Sequence, residues 1–74
     1  MHLATVILTH NSASKIKDLL KSLSWCDEII VIDDQSHDHT RQLAKKLAAR
    51  VFTRSLNHNF AAQRNFGLHQ VKSD

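Results

Sequence analysis

A run of four β-branched residues, Ile29 to Ile32, ends abruptly in two adjacent acids, Asp33 and Asp34. The run has no polar alternation, which is typical of a strand buried on both faces of a parallel sheet. Polar residues that favour helix caps follow at once, so a helix is expected to begin close behind the acids. Such a strand delivers its carboxylates to the carboxyl edge of the sheet, where open α/β sheets bind ligands.

The rest of the chain repeats this alternation of strand and helix. Leu3 to Thr9 predicts a first strand, and Val51 with Phe52 predicts a short third strand. Apolar residues at helical spacing predict the first two helices: Ile16, Leu19, Leu20 and Leu23, then Thr40, Leu43, Ala44 and Leu47. The order β-α-β-α-β-α predicts an α/β fold, a three-layer half of a doubly wound parallel sheet with strand order 3-2-1.

A third helix is predicted from Phe60 to Val71, with a less regular pattern. Two faces of it are candidates for the core: Ala61, Leu68 and Val71, or Ala62 and Phe66. Gly67 is expected to weaken this helix. In the connection after the first helix, Trp25 is interpreted as a lid that packs on that helix.

The composition excludes several classes of protein. A chain of 74 residues with 42% hydrophobic residues indicates a small globular unit. Its single cysteine fits a reducing compartment, and no apolar run approaches the length of a transmembrane helix, so a cytoplasmic location is expected. The net charge of +3 is interpreted as solvated helix faces. It leaves peripheral contact with the inner face of the membrane open, but it does not indicate nucleic-acid binding.

The predicted topology indicates that residues 1–74 are an incomplete domain. Strand one would form an open apolar edge, which complete proteins normally cover. The helix end at Lys72 to Asp74 lies where a fourth strand would begin. We therefore expect an N-terminal portion of a larger domain. The alternative is a small self-sufficient protein that forms a homo-oligomer through strand one.

The acid pair itself has three interpretations. One carboxylate accepts hydrogen bonds from a nucleotide, or both hold a divalent cation, or both merely favour the turn. The neighbouring His37 and His39 match no standard zinc spacing. Glycine-rich phosphate loops and the serine elbow Gly-x-Ser-x-Gly are absent from the sequence, which argues against ATPases, nicotinamide enzymes and serine hydrolases.

Four segments of the sequence match one known family in their order and spacing, over nearly the whole chain. They are Val6 to Asn11, Trp25 to Asp33, Ser36 to Thr40, and Gln63 to Phe66. In these segments the chain resembles bacterial family 2 glycosyltransferases with the GT-A fold, and among these the lipopolysaccharide-core glucosyltransferase type.

The resemblance implies a site for a nucleotide-diphospho-sugar, with a UDP-sugar favoured. By analogy with the family, Thr9 and Asn11 would frame the base, Asp33 and Asp34 would accept hydrogen bonds from it, and Arg64 would approach the phosphates. It also implies Mg²⁺ or Mn²⁺ in the full-length parent, held by an Asp-x-Asp motif beyond this chain. No catalytic residue and no metal ligand is therefore assigned here.

The implied parent is an enzyme that transfers sugar to a saccharide or lipid-linked acceptor in lipopolysaccharide or cell-surface glycan synthesis. The 74-residue chain alone is expected to be inactive. The alternative is a non-enzymatic nucleotide-binding or oligomerisation module. Three departures from the family are noted: Gln35 stands where many relatives have glycine, Ser12 where they have glutamate, and His10 with Asn11 where some have an aromatic residue that stacks on the base.

Overall fold

The computed structural model describes residues 2–47 and 49–71, so the predicted helix end at Lys72 to Asp74 lies outside the described residues. Within these ranges three strands alternate with three helices. The elements are β1 (Ala4–Thr9), α1 (Ala13–Ser22), β2 (Glu28–Asp33), α2 (Thr40–Lys46), β3 (Arg50–Thr53) and α3 (Phe60–His69). Strand β2 lies between β1 and β3 and pairs with both in parallel. The predicted α/β class and strand order are confirmed.

Strand β2 forms the centre of the core. Ile30, Val31 and Ile32 have no exposed surface, because strands flank them on both sides and helices cover both faces. This is the environment that an unbroken apolar run requires. Thr9 pairs with Asp33, and Asp33 pairs with a residue at the end of β3. The three strands therefore end at one level, which is the carboxyl edge of the sheet.

Helices α1 and α2 cover one face of the sheet. Ile16 and Leu20 of α1 and Ala44 of α2 are buried and pack with Val31 in one cluster. The four-residue spacing of Ile16 and Leu20 places both side chains on the same helix face. Leu19 is 41% exposed, so the buried stripe of α1 is narrower than the apolar pattern predicts.

Helix α3 covers the other face, and of its two predicted inward faces the one with Ala61 and Leu68 was wrong, since both residues are exposed. The buried residues are Gln63 and Gly67, whereas Leu68 is 55% exposed. A Cβ atom on Gly67 would lie 2.4 Å from Val6 Cγ1, so the helix approaches the sheet more closely than a larger residue allows. Phe66 belongs to the other predicted face. Its ring packs edge-on against an aromatic ring of β3, with the ring centroids 5.8 Å apart. Close approach at the glycine therefore decides the rotation of this helix.

The opposite edge of the sheet is held by an ionic cluster around Glu28. Its carboxylate accepts a hydrogen bond from Arg50 Nη1 at 2.7 Å and lies 3.0 Å from His2 Nε2. Arg50 Nη1 also donates to the carbonyl oxygen of Gln70 at 2.5 Å, which ties the end of α3 to β3. Trp25, in the connection between α1 and β2, is 66% exposed, so the interpretation of its indole as a packing lid was wrong.

The turn between β2 and α2 contains a strained position at Gln35. Its φ is 47°, in the left-handed region that favours glycine. A residue with a Cβ atom is less stable in this region by about 1 kcal/mol. Gln35, which stands where many relatives have glycine, therefore occupies a position whose backbone conformation favours glycine.

Candidate functional site

Two of the sequence-predicted residues, Thr9 and Asp33, are neighbours across the strand pair β1–β2 at the carboxyl edge. The Thr9 hydroxyl donates to Asp33 Oδ1 at 2.7 Å. The backbone N–H of the next acid, Asp34, donates to the Thr9 carbonyl oxygen at 2.8 Å. The acids therefore leave the sheet beside the tip of the first strand, as the sequence predicts.

The Asp33 carboxylate binds groups of the protein itself. Its carboxylate has no exposed surface. Besides the Thr9 hydroxyl, it accepts from the Ser36 hydroxyl at 2.6 Å and from the Ser36 N–H at 2.8 Å. Arg41 Nε lies 3.7 Å from Oδ2. In this arrangement Asp33 joins β1 to the turn after β2, and its oxygens face protein donors instead of a ligand.

Asp34 is the acid that borders open space, with 28% of its side chain exposed. Oδ1 accepts from the backbone N–H of Leu56 at 3.1 Å. Oδ2 lies 3.9 Å from His10 Nδ1, which is beyond hydrogen-bonding distance. The His10 ring is held instead by the Asp34 carbonyl oxygen, 2.5 Å from Nδ1. One carboxylate oxygen of Asp34 is thus available to an N–H donor of a ligand.

Beside Asp34 lies a small cavity of about 110 Å³, called the rim cleft below. The other residues that line it come from the tip of β1, the loop after β3 and the first turn of α3. They are Leu8, Thr9, His10, Leu56, Phe60 and Gln63. Pockets for drug-sized ligands are typically about 300–1,000 Å³, so the rim cleft suits a single ring with one polar edge.

Asn11 and Arg64, also predicted as site residues, do not line the rim cleft. Asn11 is exposed, with φ 48°, and its side-chain oxygen accepts from the backbone N–H of His37 at 2.7 Å. It therefore shapes the loop next to the cleft. Arg64 is exposed on α3, one helical turn after Phe60, so the two residues share a helix face.

Sequence reasoning missed the role of Gln63, which is 1% exposed. Its side-chain amide donates to the carbonyl oxygen of Arg54 at 2.6 Å and accepts from Arg54 Nη1 at 2.9 Å. The Arg54 guanidinium also lies 5.3 Å from the centroid of the Phe66 ring. These contacts fix the loop after β3 against α3. A glutamine in a helical pattern carries no sequence signal for such a buried pairing.

Asp38 joins the N-termini of two helices. Its carboxylate accepts from the backbone N–H groups of Thr40 at 2.9 Å and Ala13 at 3.1 Å, and also from the Thr40 hydroxyl. The hydroxyl of Thr40 is the main cause that lowers the pKa of Asp38 below its ordinary value of 3.8, and the two backbone donors add to it against the opposing effect of partial burial. The ionised form is therefore favoured in the folded state.

This lowered pKa predicts acid sensitivity. Because the folded pKa lies below the unfolded value, Asp38 stabilises the fold above the unfolded pKa, and that contribution is lost as the pH falls through the folded pKa. We expect the free energy of unfolding of Asp38→Asn to fall less than that of the wild type between about pH 5 and pH 2. Urea titrations at several pH values measure this, with the exposed Asp18→Asn as the control. Parallel curves for the wild type and Asp38→Asn would contradict the prediction.

A divalent cation does not fit the residues that the structure describes. Among residues 2–47 and 49–71, no three histidine, cysteine or acidic side chains come together as a metal site. The sequence analysis considered the Asp33 carboxylate as a ligand of the cation, but its oxygens already accept hydrogen bonds from Thr9 and Ser36. In the same part of the chain, no helix is both long and apolar enough to span a bilayer.

Known proteins are similar to this chain in sequence and in fold. The family model for Glycosyl transferase family 2 matches residues 5–74. The 4,4'-diaponeurosporenoate glycosyltransferase of Staphylococcus haemolyticus is 33% identical over 60 residues, which cover 77% of this chain and 16% of that protein. Glucosyl-3-phosphoglycerate synthase from Mycobacterium tuberculosis, crystallised with Mn²⁺, UDP and glucosyl-3-phosphoglycerate, matches with a TM-score of 0.64 and 30% identity. That match covers 70% of this chain and 20% of the synthase.

The chain thus spans no more than about a fifth of the length of either relative. The structural match confirms the predicted GT-A fold, since the parallel sheet and its helices correspond to part of the mycobacterial enzyme. The family match extends over nearly all of the sequence. From these matches and the described fold, the chain belongs to glycosyl transferase family 2.

Proposed function

We propose that this chain forms the nucleoside-binding wall of an enzyme that transfers a sugar from a nucleotide-diphosphate donor. The observation that carries the proposal is Asp34, whose partly exposed carboxylate borders the rim cleft beside Thr9. A base edge that presents an N–H group needs an acceptor, and a carboxylate supplies a charge-assisted one. The UDP bound by the mycobacterial relative supports a uridine nucleotide as the ligand.

The two adjacent acids have separate roles in this proposal. Asp34 accepts from the base, while Asp33 positions the turn through Thr9 and Ser36. Asn11 keeps the neighbouring loop in shape, and Arg64 approaches the phosphates from the helix face that it shares with Phe60. A planar guanidinium suits the bidentate recognition of phosphate oxygens.

The complete reaction needs more than these residues. We propose that the acceptor is a saccharide or a lipid-linked glycan of the bacterial cell surface, as in lipopolysaccharide synthesis, and that transfer takes place in the cytoplasm at the inner face of the membrane. The acceptor site, the catalytic base and the ligands of the divalent cation belong to parts that correspond to the larger portion of the relatives. The 74-residue chain alone is therefore expected to bind nucleotide without transferring sugar.

Titration of the chain with UDP, followed by NMR, tests the proposal. We expect weak, saturable binding that Asp34→Ala reduces about 10- to 100-fold, because a hydrogen bond to a charged group contributes about 1.5–3 kcal/mol. Asp18→Ala, which removes an exposed carboxylate in the middle of α1, is the matched control and should bind like the wild type.

The opposite result would favour the structural alternative. Strand β1 lies at one end of the strand order and so has one edge without a strand partner among the described residues. If UDP does not bind and the chain forms a symmetric dimer through β1, an oligomerisation module replaces the nucleoside wall. Sedimentation of the free chain distinguishes the two states.

A further inference from the structure

We infer that Phe60 is the stacking platform for the base and that it makes the rim cleft selective for a pyrimidine. This inference rests on the proposed nucleotide site. Phe60 is the first residue of α3, and its ring is 61% exposed. It lines the same cleft as Asp34, whose carboxylate is the proposed acceptor. Most of the ring surface is therefore accessible to a ligand that enters the cleft.

The loop before Phe60 holds the ring beside the acceptor. At one end, the Leu56 N–H donates to Asp34 Oδ1 at 3.1 Å, which ties the loop to that carboxylate. At the other end, the Asn59 side chain accepts from the Ala62 N–H at 3.0 Å and caps α3. Both ends of the loop are therefore fixed, and the ring follows directly after the cap.

Between these ends the backbone is strained. Asn57 and His58 have φ values of 50° and 57°, two consecutive residues in the left-handed region. Non-glycine residues enter this region at a cost, although asparagine and histidine tolerate it better than most. Local strain that the surrounding contacts maintain is characteristic of functional sites. Here the two strained residues directly precede the cap Asn59, after which α3 begins with Phe60 beside the rim cleft.

The chemistry of the cleft selects a base with one ring. A nucleobase presents a flat π face and a polar edge, which match the Phe60 ring and the Asp34 carboxylate respectively. The volume of about 110 Å³ encloses about one six-membered ring, so the second ring of a purine would extend out of the cleft. The Leu8 and Leu56 side chains add apolar surface around the ring. These features together favour uracil or cytosine over adenine or guanine.

The test compares Phe60→Leu with the wild-type chain in NMR titrations with UDP and with GDP. Leucine keeps an apolar side chain at this exposed position, so the fold is retained. In the wild type, the H5 and H6 protons of uracil should shift upfield on binding, because they lie over the face of a ring. In Phe60→Leu this shift should vanish and the dissociation constant for UDP should rise about fivefold or more.

Two control variants sharpen the result. Phe60→Tyr keeps the ring and should retain both the shift and the affinity. Leu68→Ala shortens another exposed apolar side chain of the same helix, outside the rim cleft, and should change neither.

The outcomes separate this inference from the proposed function. If UDP binds and Asp34→Ala weakens it, but Phe60→Leu binds equally well, the platform is refuted and the nucleoside wall stands. Equal affinity of the wild type for GDP and UDP would refute the selection by size. If the wild type binds neither nucleotide, both proposals fail.

Discussion

Replacing Asp33 by alanine is expected to leave the protein largely unfolded at room temperature. The carboxylate is fully buried and accepts from three donors, namely the Thr9 hydroxyl and the hydroxyl and N–H of Ser36. Each buried donor that loses its partner costs about 1–3 kcal/mol. A single core of this size rarely supplies more than about 3–5 kcal/mol of stability. Far-UV circular dichroism and urea unfolding measure the loss.

Two variants serve as controls for this experiment. Thr9→Val removes only one of the three donors and nearly preserves the side-chain volume, so it should cost about 1 kcal/mol. Asp34→Ala removes the adjacent carboxylate, which is partly exposed and accepts only from Leu56 N–H among the hydrogen bonds described above, so it should remain folded and lose far less stability than Asp33→Ala. If Asp33→Ala unfolds no more easily than Asp34→Ala, the buried network does not stabilise the turn.

Replacing Gly67 by alanine is expected to destabilise the protein by about 1–3 kcal/mol. In an exposed helix the same change would be favourable by about 1 kcal/mol, because alanine has the higher helix propensity. Here the added methyl group would lie 2.4 Å from Val6 Cγ1 and 3.2 Å from Ile32 Cγ1. Both neighbours are β-branched and stiff at χ1, so the helix or the strand must move. Urea unfolding of the variant measures the effect.

A second substitution tests whether the contact with Val6 is the cause. Combining Gly67→Ala with Val6→Ala removes the atom closest to the added methyl group. The double variant should therefore be more stable than the sum of the two single losses predicts. Ala61→Gly is the converse change at an exposed position of α3 and reports the propensity effect, at about 1 kcal/mol or less. A Gly67→Ala variant more stable than the wild type would mean that α3 does not approach the sheet as described.

The stability experiment on Asp33 and the binding experiment on Asp34 also test a division of roles between neighbours. Asp33 is the last residue of β2 and Asp34 the first residue after it, and their carboxyl groups bind different parts of the protein, Ser36 and Leu56 respectively. Asp33 is enclosed by protein donors, whereas Asp34 borders the rim cleft. One acid should therefore affect folding, and the other nucleotide binding.

The local sequence pattern was sufficient to predict the order of the strands and helices and the parallel sheet. The apolar run of β2 matches its complete burial between two strands, and the spacing of Ile16 and Leu20 matches the buried face of α1. These predictions hold because hydrophobic periodicity records which faces lose water, and strand order follows from the alternation of strands with helices. The position of Asp33 beside Thr9 could be predicted for the same reason, since parallel strands end at one edge.

The sequence by itself determined the order of the elements, the central strand and the edge at which the acids emerge. Only the tertiary structure decided that Asp33 is buried while Asp34 is partly exposed, that α3 buries Gln63 and Gly67, and that Phe60 lines the rim cleft. The physical reason is that these features depend on contacts between residues far apart in the chain. The approach of Gly67 to Val6 sets the rotation of α3, and the bond from Leu56 to Asp34 sets the path of the loop.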